Sequence, residues 1–313
     1  MSRANSAFGA WIDERDIRSI RRWPAPGKYP DQVDISVIVP CFHIAPSIAS
    51  ALSSIAEQRG LPAGLAIEVV LVVDGLPADA ECITDLVDAQ QRPLPFAIML
   101  ITLRQNLGAG LARCHGWHHC SGELVAMLDD DDIWHPDKLA IQLALHRARP
   151  DQIASGHLYA QAPGQLSTPA LTAVDCIGQA GPVTFWDLLI RPRFTPTTLM
   201  IRRALWPSGP ERFRLGEDIL LNLMIAHWQP ILALPVVLAS RSPAAPPVHA
   251  DVDSLSRQRI AARLAQCRNY QLLARRGLLT PWLVGPFILL SLALSLRRAF
   301  LDLWERLRRV LSV

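Results

Sequence analysis

Ile35-Ser-Val-Ile-Val-Pro40, Ile67-Glu-Val-Val-Leu-Val-Val73 and Leu124-Val-Ala-Met-Leu128 are three short, almost wholly apolar runs. Each is stopped by a turn-forming or acidic segment: Pro40 ends the first, Asp74-Gly75 follows the second, and Asp129-Asp-Asp-Asp132 follows the third. Runs of this length and β-branched content suit strands buried on both faces, as in a parallel sheet. Between the first two, residues 47–58 have helical character and stop near Gly60, which gives a strand-helix-strand unit. A helix over 79–90, a strand over 96–102, a helix over 108–120 and the strand over 123–128 continue the alternation. The expected fold class is therefore α/β, a doubly wound, mostly parallel sheet whose ligands bind beyond the carboxyl ends of its strands.

Outward from this core the signals weaken. Residues 1–33 are polar, Arg-rich and broken by Pro24, Pro26 and Pro30, and read as an irregular lead-in. A helix over 138–149 precedes a Pro-rich stretch from 150 to 196 that resists assignment; a strand over 198–202, a helix over 217–227 and a strand over 231–238 are clearer. Pro243 to Pro247 marks a boundary, so the expected division is lead-in 1–33, catalytic domain 34–242 and helical extension 243–313. In that extension, residues 254–276 read as a basic helix.

Composition adds a charge asymmetry. From Arg257 onward eleven Arg face only Asp302 and Glu305, a net of +9, so residues 1–256 carry −6 of the overall +3. An acidic body with a basic, apolar tail suits a tail that meets anionic lipid or another polyanion; no nucleic-acid partner is expected. Mean hydropathy of +0.20 with 19% charged residues points the same way. Asp13, Glu14, Arg15 and Asp16 interrupt any apolar run near the start, so no secretory signal is read and a cytoplasmic catalytic body is expected. The six Cys show no short-loop framework and read as reduced, packed thiols.

Three acidic sites carry the chemistry. Asp74 ends the second strand. In the run Asp129 to Asp132, alternate residues of an extended chain point the same way, so Asp129 and Asp131 can converge on one ligand. Mg²⁺ takes one or two such carboxylates with phosphates and water, and a cation relieves the repulsion of four consecutive acids. The blander reading is a solvated turn in which Asp132 caps the helix beginning near Pro136. Glu217-Asp218 opens a helix after Gly216; a carboxylate there is a candidate base, or merely a favourable partner of the helix dipole. Asn106-Leu-Gly-Ala-Gly110 reads as a tight turn, with Arg113 a diphosphate contact. Cys114, His115, His118, His119 and Cys120 have no closed zinc-site spacing and read as a packed helix with surface histidines.

Ser36-Val-Ile-Val-Pro40, Val72-Val-Asp-Gly75, Asn106-Leu-Gly108 through Ala112-Arg113, Gly116 and Ser121-Gly-Glu123, then Leu128 with Asp129, Asp131, Asp132, Trp134, Pro136 and Lys138-Leu139, and finally Gly216-Glu-Asp218, occur in order. Together they resemble the family 2 glycosyltransferases, inverting enzymes of the glycosyltransferase A-type fold, over residues 35–227. The resemblance implies a nucleotide diphosphate sugar donor, a Mg²⁺ or Mn²⁺ ion and a single displacement with inversion. It places Pro40 and Asp74 at the nucleotide, Asp129 near ribose and donor sugar, Asp131 on the metal, Asp218 as base and Glu217 beside the acceptor. Val73 stands where the family usually has an acid, and Leu76-Pro77 replaces small polar residues, so base or ribose recognition is expected to differ. No Q-x-x-R-W motif of processive synthases occurs, which favours single addition. Polysaccharide or lipopolysaccharide assembly with a lipid-linked acceptor follows from the resemblance and the tail.

Residues 278–296 are nineteen without a charge, nominally enough to span a bilayer, but Pro281, Gly285 and Pro286 argue against one straight helix. Phe300, Trp304, Leu307 and Leu311 share a helical face, the pattern of a helix lying in an anionic membrane interface. Interfacial attachment at the cytoplasmic face, insertion and a soluble packed helix all remain open. So do two other functional readings: a catalytically silent sugar-nucleotide or metal-binding module, and a nucleotidyltransferase lacking the usual Gly-rich loop.

Overall fold

The computed structural model describes residues 13–24, 30, 32–42, 47–75, 77–88, 94–160, 162, 165–166, 173–205, 216–245 and 252–311, with the side chains of 77, 173, 205, 252–263, 294–295, 298–303 and 305–311 left undescribed. The first half alternates as β1 Ile17–Trp23, β2 Ile35–Cys41, α1 Ser47–Ala56, β3 Ile67–Val73, α2 Pro77–Asp88, β4 Ala97–Leu103, α3 Ala109–His119 and β5 Leu124–Met127. The second half is broken into shorter pieces: β6 Asp132–Trp134, α4 Lys138–Ala148, β7 Ala154–Ala160, α5 Ala173–Gly178, β8 Gly181–Val183, α6 Phe185–Ile190, β9 Met200–Arg202, α7 Glu217–Trp228 and β10 Ile231–Arg241. Among the described residues the strands form one sheet in the order β1-β4-β3-β2-β5-β9-β7-β10-β6, with β8 beside β10.

The heart of this sheet, β4-β3-β2-β5, is parallel, and every residue of β2, β3 and β4 is buried, as their continuous apolar sequence requires. The expectation of a mostly parallel sheet fails outside it. β9 runs antiparallel to both β5 and β7, and β10 takes β7 as a parallel neighbour but β6 and β8 as antiparallel ones. The antiparallel partners are distant in sequence, with β9 of residues 200–202 laid between β5 of 124–127 and β7 of 154–160, so no local strand-helix-strand alternation sets their direction. The lead-in is not irregular throughout either. β1 pairs antiparallel with β4, turning Ile17, Ile20 and Trp23 toward cover while Arg18, Arg21 and Arg22 face solvent, and Trp23 Nε1 donates to Asp88 Oδ1 at 2.8 Å. Ile20 and Trp23, three residues apart in an unbroken register, lie on opposite faces of the sheet, and the exposed arginines between them guard this edge strand from further pairing.

One buried carboxylate ties the sheet to α3. Glu68 Oε1 accepts from Ser36 Oγ at 2.6 Å, from the Ser121 N–H at 2.6 Å and from Ser121 Oγ at 3.0 Å, while Ser36 Oγ itself accepts from the Gly122 N–H at 2.8 Å. Gly122 has no room for a side chain: a Cβ there would lie 2.5 Å from the Ser36 nitrogen. The Ser121-Gly122 pair is thus the point where α3 is turned back into β5.

Residues 1–188 with 192–247 form one unit, and 189–191 with 248–313 another. In the second, α8 Val252–Arg275 and α9 Pro281–Leu311 are joined through Gly277, at φ 71°, and pack as Tyr270 against Phe287, ring centroids 5.7 Å apart. Tyr270 Oη accepts from Gln266 Nε2 and donates to the Leu189 carbonyl. Trp282, Leu289 and Leu296 of α9 are about 70% exposed. Trp304 is half exposed, whereas the side chains of Phe300, Leu307 and Leu311 lie outside the described residues. Among the described residues no helix is long and apolar enough to cross a membrane.

Replacing Glu68 by Ala strands several donors in the core, so urea unfolding should report a loss of about 2–3 kcal/mol, and Glu68→Gln a smaller one. An unchanged midpoint in both variants would contradict the latch.

Candidate active site

The carboxyl ends of β2, β3 and β5 open on a cleft of about 450 Å³ lined by Pro40, Asp74, Gly108, Arg113, Asp129 and Asp131, among others. Asp74, directly after β3, is buried in its wall. Its two oxygens accept the N–H groups of Leu107 at 2.7 Å and Gly108 at 2.8 Å, so it braces the turn that leads into α3. Gly75 makes this possible: at φ 95°, a Cβ would fall 2.4 Å from the Asn106 nitrogen. α3 begins at the cleft with no side-chain cap on its first N–H groups.

Arg113, one turn into α3, is buried between two acidic segments. Its Nη2 lies 2.6 Å from Asp129 Oδ1 and its Nη1 3.8 Å from Glu217 Oε1. Burial opposes the guanidinium charge, and Asp129, Glu217 and Asp218 together outweigh it and raise the Arg113 pKa. Glu217 can reach this position because residue 110 is glycine; a Cβ on Gly110 would lie 2.6 Å from Glu217 Cγ. Burial raises the carboxyl pKa of both Glu217 and Asp218, partly offset by Arg113 and by backbone hydrogen bonds.

The acidic run alternates in partner as well as in direction. Asp129 is held by Arg113, and Asp131 Oδ2 lies 3.0 Å from Arg241 Nη1. Asp130 accepts the Phe42 N–H at 3.2 Å, and burial pushes it up to about 7, with Asp129 and Asp131 adding to the rise. Asp132 accepts from Tyr159 Oη and Thr197 Oγ1, each at 2.6 Å, and burial likewise pushes it to about 7. Asp132 is therefore not a helix cap: it lies in β6, paired with Arg241 of β10, and α4 begins at Lys138 after Asp137. Thr197 Oγ1 also accepts the Asp129 N–H at 3.2 Å, so one hydroxyl links the first and last members of the run. Among the described residues no three His, Cys, Asp or Glu side chains are grouped as around an ion. Cys114 and His115 are buried in α3, where burial pushes the Cys114 thiol to about 12, while His118 and His119 each lie 3.7 Å from Glu14.

Pro40, Asp74, Arg113, Asp129 and Asp131 thus line one cleft, and Glu217 and Asp218 join it through Arg113. Sequence reading missed Thr197, Tyr159 and Arg241. None stands in a motif, and each meets the acidic run only because the chain beyond β5 packs beside it.

The profile of the family described as Glycosyl transferase family 2 matches residues 36–205. The chain belongs to the family 2 glycosyltransferases. Its sheet is that of the glycosyltransferase A-type fold, as in the mannosyltransferase PcManGT from Pyrobaculum calidifontis, solved with GDP-Man and Mn²⁺. That structure superposes with a TM-score of 0.57 at 19% identity, covering 91% of this chain and 82% of the other. Among sequence relatives, the amylovoran biosynthesis glycosyltransferase AmsB of Erwinia amylovora is 31% identical over 113 residues, 36% of each chain. The UDP-Glc:alpha-D-GlcNAc-diphosphoundecaprenol beta-1,3-glucosyltransferase WfgD of Escherichia coli is 30% identical over 115 residues, 37% of this chain and 42% of WfgD. The matched segment spans only about two fifths of the length of these relatives.

The two protonatable acids give a test with a definite sign. Burial holds Asp130 and Asp132 up at about 7 in the folded chain against ~3.9 when unfolded, so between these values the folded chain binds more protons and stability falls as pH rises. His146 and His157, held neutral by burial at about 4 and about 3, act oppositely but only below their unfolded value near ~6.5. Thermal melts between pH 6.5 and 8.5 should therefore show a falling Tm in the wild type and a shallower fall in Asp132→Asn. Identical slopes would contradict the assignment.

Proposed function

We propose that this chain is an inverting glycosyltransferase that moves a sugar from a nucleotide diphosphate sugar to a hydroxyl acceptor. The observation that carries the reading is Arg113, which holds Asp129 of the acidic run and Glu217 of the Glu217-Asp218 pair around one cleft. Donor-binding and acceptor-activating acids must lie within one sugar's reach of each other, and this bridge brings them there.

In this reading Pro40 and Asp74 border the nucleotide, and the uncapped amino end of α3 with Arg113 faces the diphosphate. Val73 in place of an acid, next to Asp74, makes base and ribose recognition depend more on backbone groups. Asp131, with Asp129, supplies the hard oxygen donors that suit Mg²⁺ or Mn²⁺, and such an ion would neutralise the departing diphosphate. The acceptor oxygen bonds to the anomeric carbon as the bond to the diphosphate oxygen breaks. The diphosphate leaves with the electron pair, and Asp218 takes the acceptor's proton. Glu217, fixed by Arg113, stands beside the base and orients the acceptor.

The relatives' names support polysaccharide or lipopolysaccharide assembly, and WfgD's name includes a diphosphoundecaprenol acceptor. A lipid-linked acceptor also fits the tail, whose +9 charge and exposed Trp282, Leu289 and Leu296 suit attachment to an anionic membrane at its cytoplasmic face.

A panel of nucleotide sugars with Mn²⁺ or Mg²⁺, scored for donor hydrolysis and transfer, identifies the donor. With that donor, Asp218→Asn should lower kcat by about 10²–10⁴ while leaving donor affinity nearly intact. Because burial raises the Asp218 pKa, wild-type kcat/KM should fall as pH drops through a value above the ordinary aspartate range. Transfer by the variant at near wild-type rates would remove Asp218 from the role, and donor binding with no turnover by wild type would favour the silent-module reading. Deleting residues 278–313 should abolish co-sedimentation with anionic phospholipid vesicles. Retained sedimentation would refute attachment through α9.

A further inference from the structure

Both carboxylates proposed to face the donor and its ion are already paired with arginines, but the two pairs are built differently. Arg113 is 9% exposed, lies inside α3 and serves two acids, so it belongs to the framework. Arg241 is the last residue of β10; its side chain is 25% exposed and that of Asp131 is 37% exposed. The backbones beside this second pair are pinned. Arg241 pairs in register with Asp132, and the Ser242 N–H donates to the Asp131 carbonyl at 2.8 Å. Any rearrangement of this pair is therefore one of side chains rather than of backbone.

A guanidinium and a divalent cation cannot both neutralise Asp131 Oδ2, since each would repel the other at contact distance. The incoming donor carries an anionic diphosphate, which a planar guanidinium binds well. We propose that Arg241 is the resident counter-cation of Asp131: it occupies this carboxylate until a divalent cation displaces it, and then turns to the donor's diphosphate. The inference rests on the reading of Asp131 as the ion's ligand and adds a specific role for a residue outside every motif. It makes ion and donor binding mutually supportive, because the diphosphate offers Arg241 a new partner when Asp131 is taken.

The test is Mn²⁺ binding without nucleotide, followed by the electron paramagnetic resonance of the free ion, for wild type, Arg241→Gln, Arg241→Lys and Asp131→Asn. Arg241→Gln should bind Mn²⁺ about two- to fivefold more tightly than wild type, the range that a partly exposed ion pair corresponds to. Arg241→Lys, which keeps the charge, should lie nearer wild type, and Asp131→Asn should bind markedly more weakly. If Arg241→Gln binds no more tightly than wild type while Asp131→Asn loses affinity, the counter-cation role is wrong and the ion's ligand stands. If Asp131→Asn binds as wild type does, the ion is elsewhere and both statements fall.

Discussion

A buried guanidinium between two carboxylates organises this molecule. Burial of the Arg113 charge inside α3 is offset by Asp129 and Glu217, and the same guanidinium offsets the repulsion between the two acids. Removing one partner of such a cluster leaves an uncompensated buried charge, which is far more damaging than losing an exposed ion pair. The interaction also spans sequence: it ties the end of β5 to the start of α7, almost ninety residues later, by way of a helix between them. Gly110 and Gly216 are the backbone concessions that allow it, the first by leaving room for Glu217 and the second by adopting φ 81° just before α7.

The same economy appears in the acidic run. Four adjacent carboxylates are tolerated because two are matched by arginines and two sit where burial keeps a proton on them near neutrality. Thr197 and Tyr159 fix Asp132, Thr197 also holds the Asp129 backbone, and β10 fixes Asp131, so the loop's shape is set by groups around it rather than by its own sequence. A loop held this firmly presents its free oxygens to a ligand without further ordering, which favours binding.

The parallel heart of the fold and the cleft-facing acids were legible because both have local signatures. A run such as Ile67–Val73 is apolar apart from Glu68, and Asp74-Gly75 or Asp129 to Asp132 directly follow such runs. What was not legible depends on distant partners. β1 looked like irregular chain because its arginines hide an apolar residue at every third position, useful only once β4 lies beside it. The three-residue strands β6, β8 and β9 carry too few residues for a period to register, so the antiparallel half of the sheet was invisible. Asp132 as a helix cap was a reasonable local reading, overruled by the sheet pairing with β10. Arg241 and Thr197 lie in segments with no pattern of their own.

Crystals of the chain grown with Mn²⁺ and a nucleoside diphosphate, measured at a wavelength where manganese scatters anomalously, test the central claim most directly. The account predicts an anomalous peak within about 2.0–2.3 Å of an Asp131 oxygen, with the diphosphate between it and the amino end of α3. Manganese and nucleotide bound away from this cleft, with Asp129 and Asp131 still facing only their arginines, would contradict it.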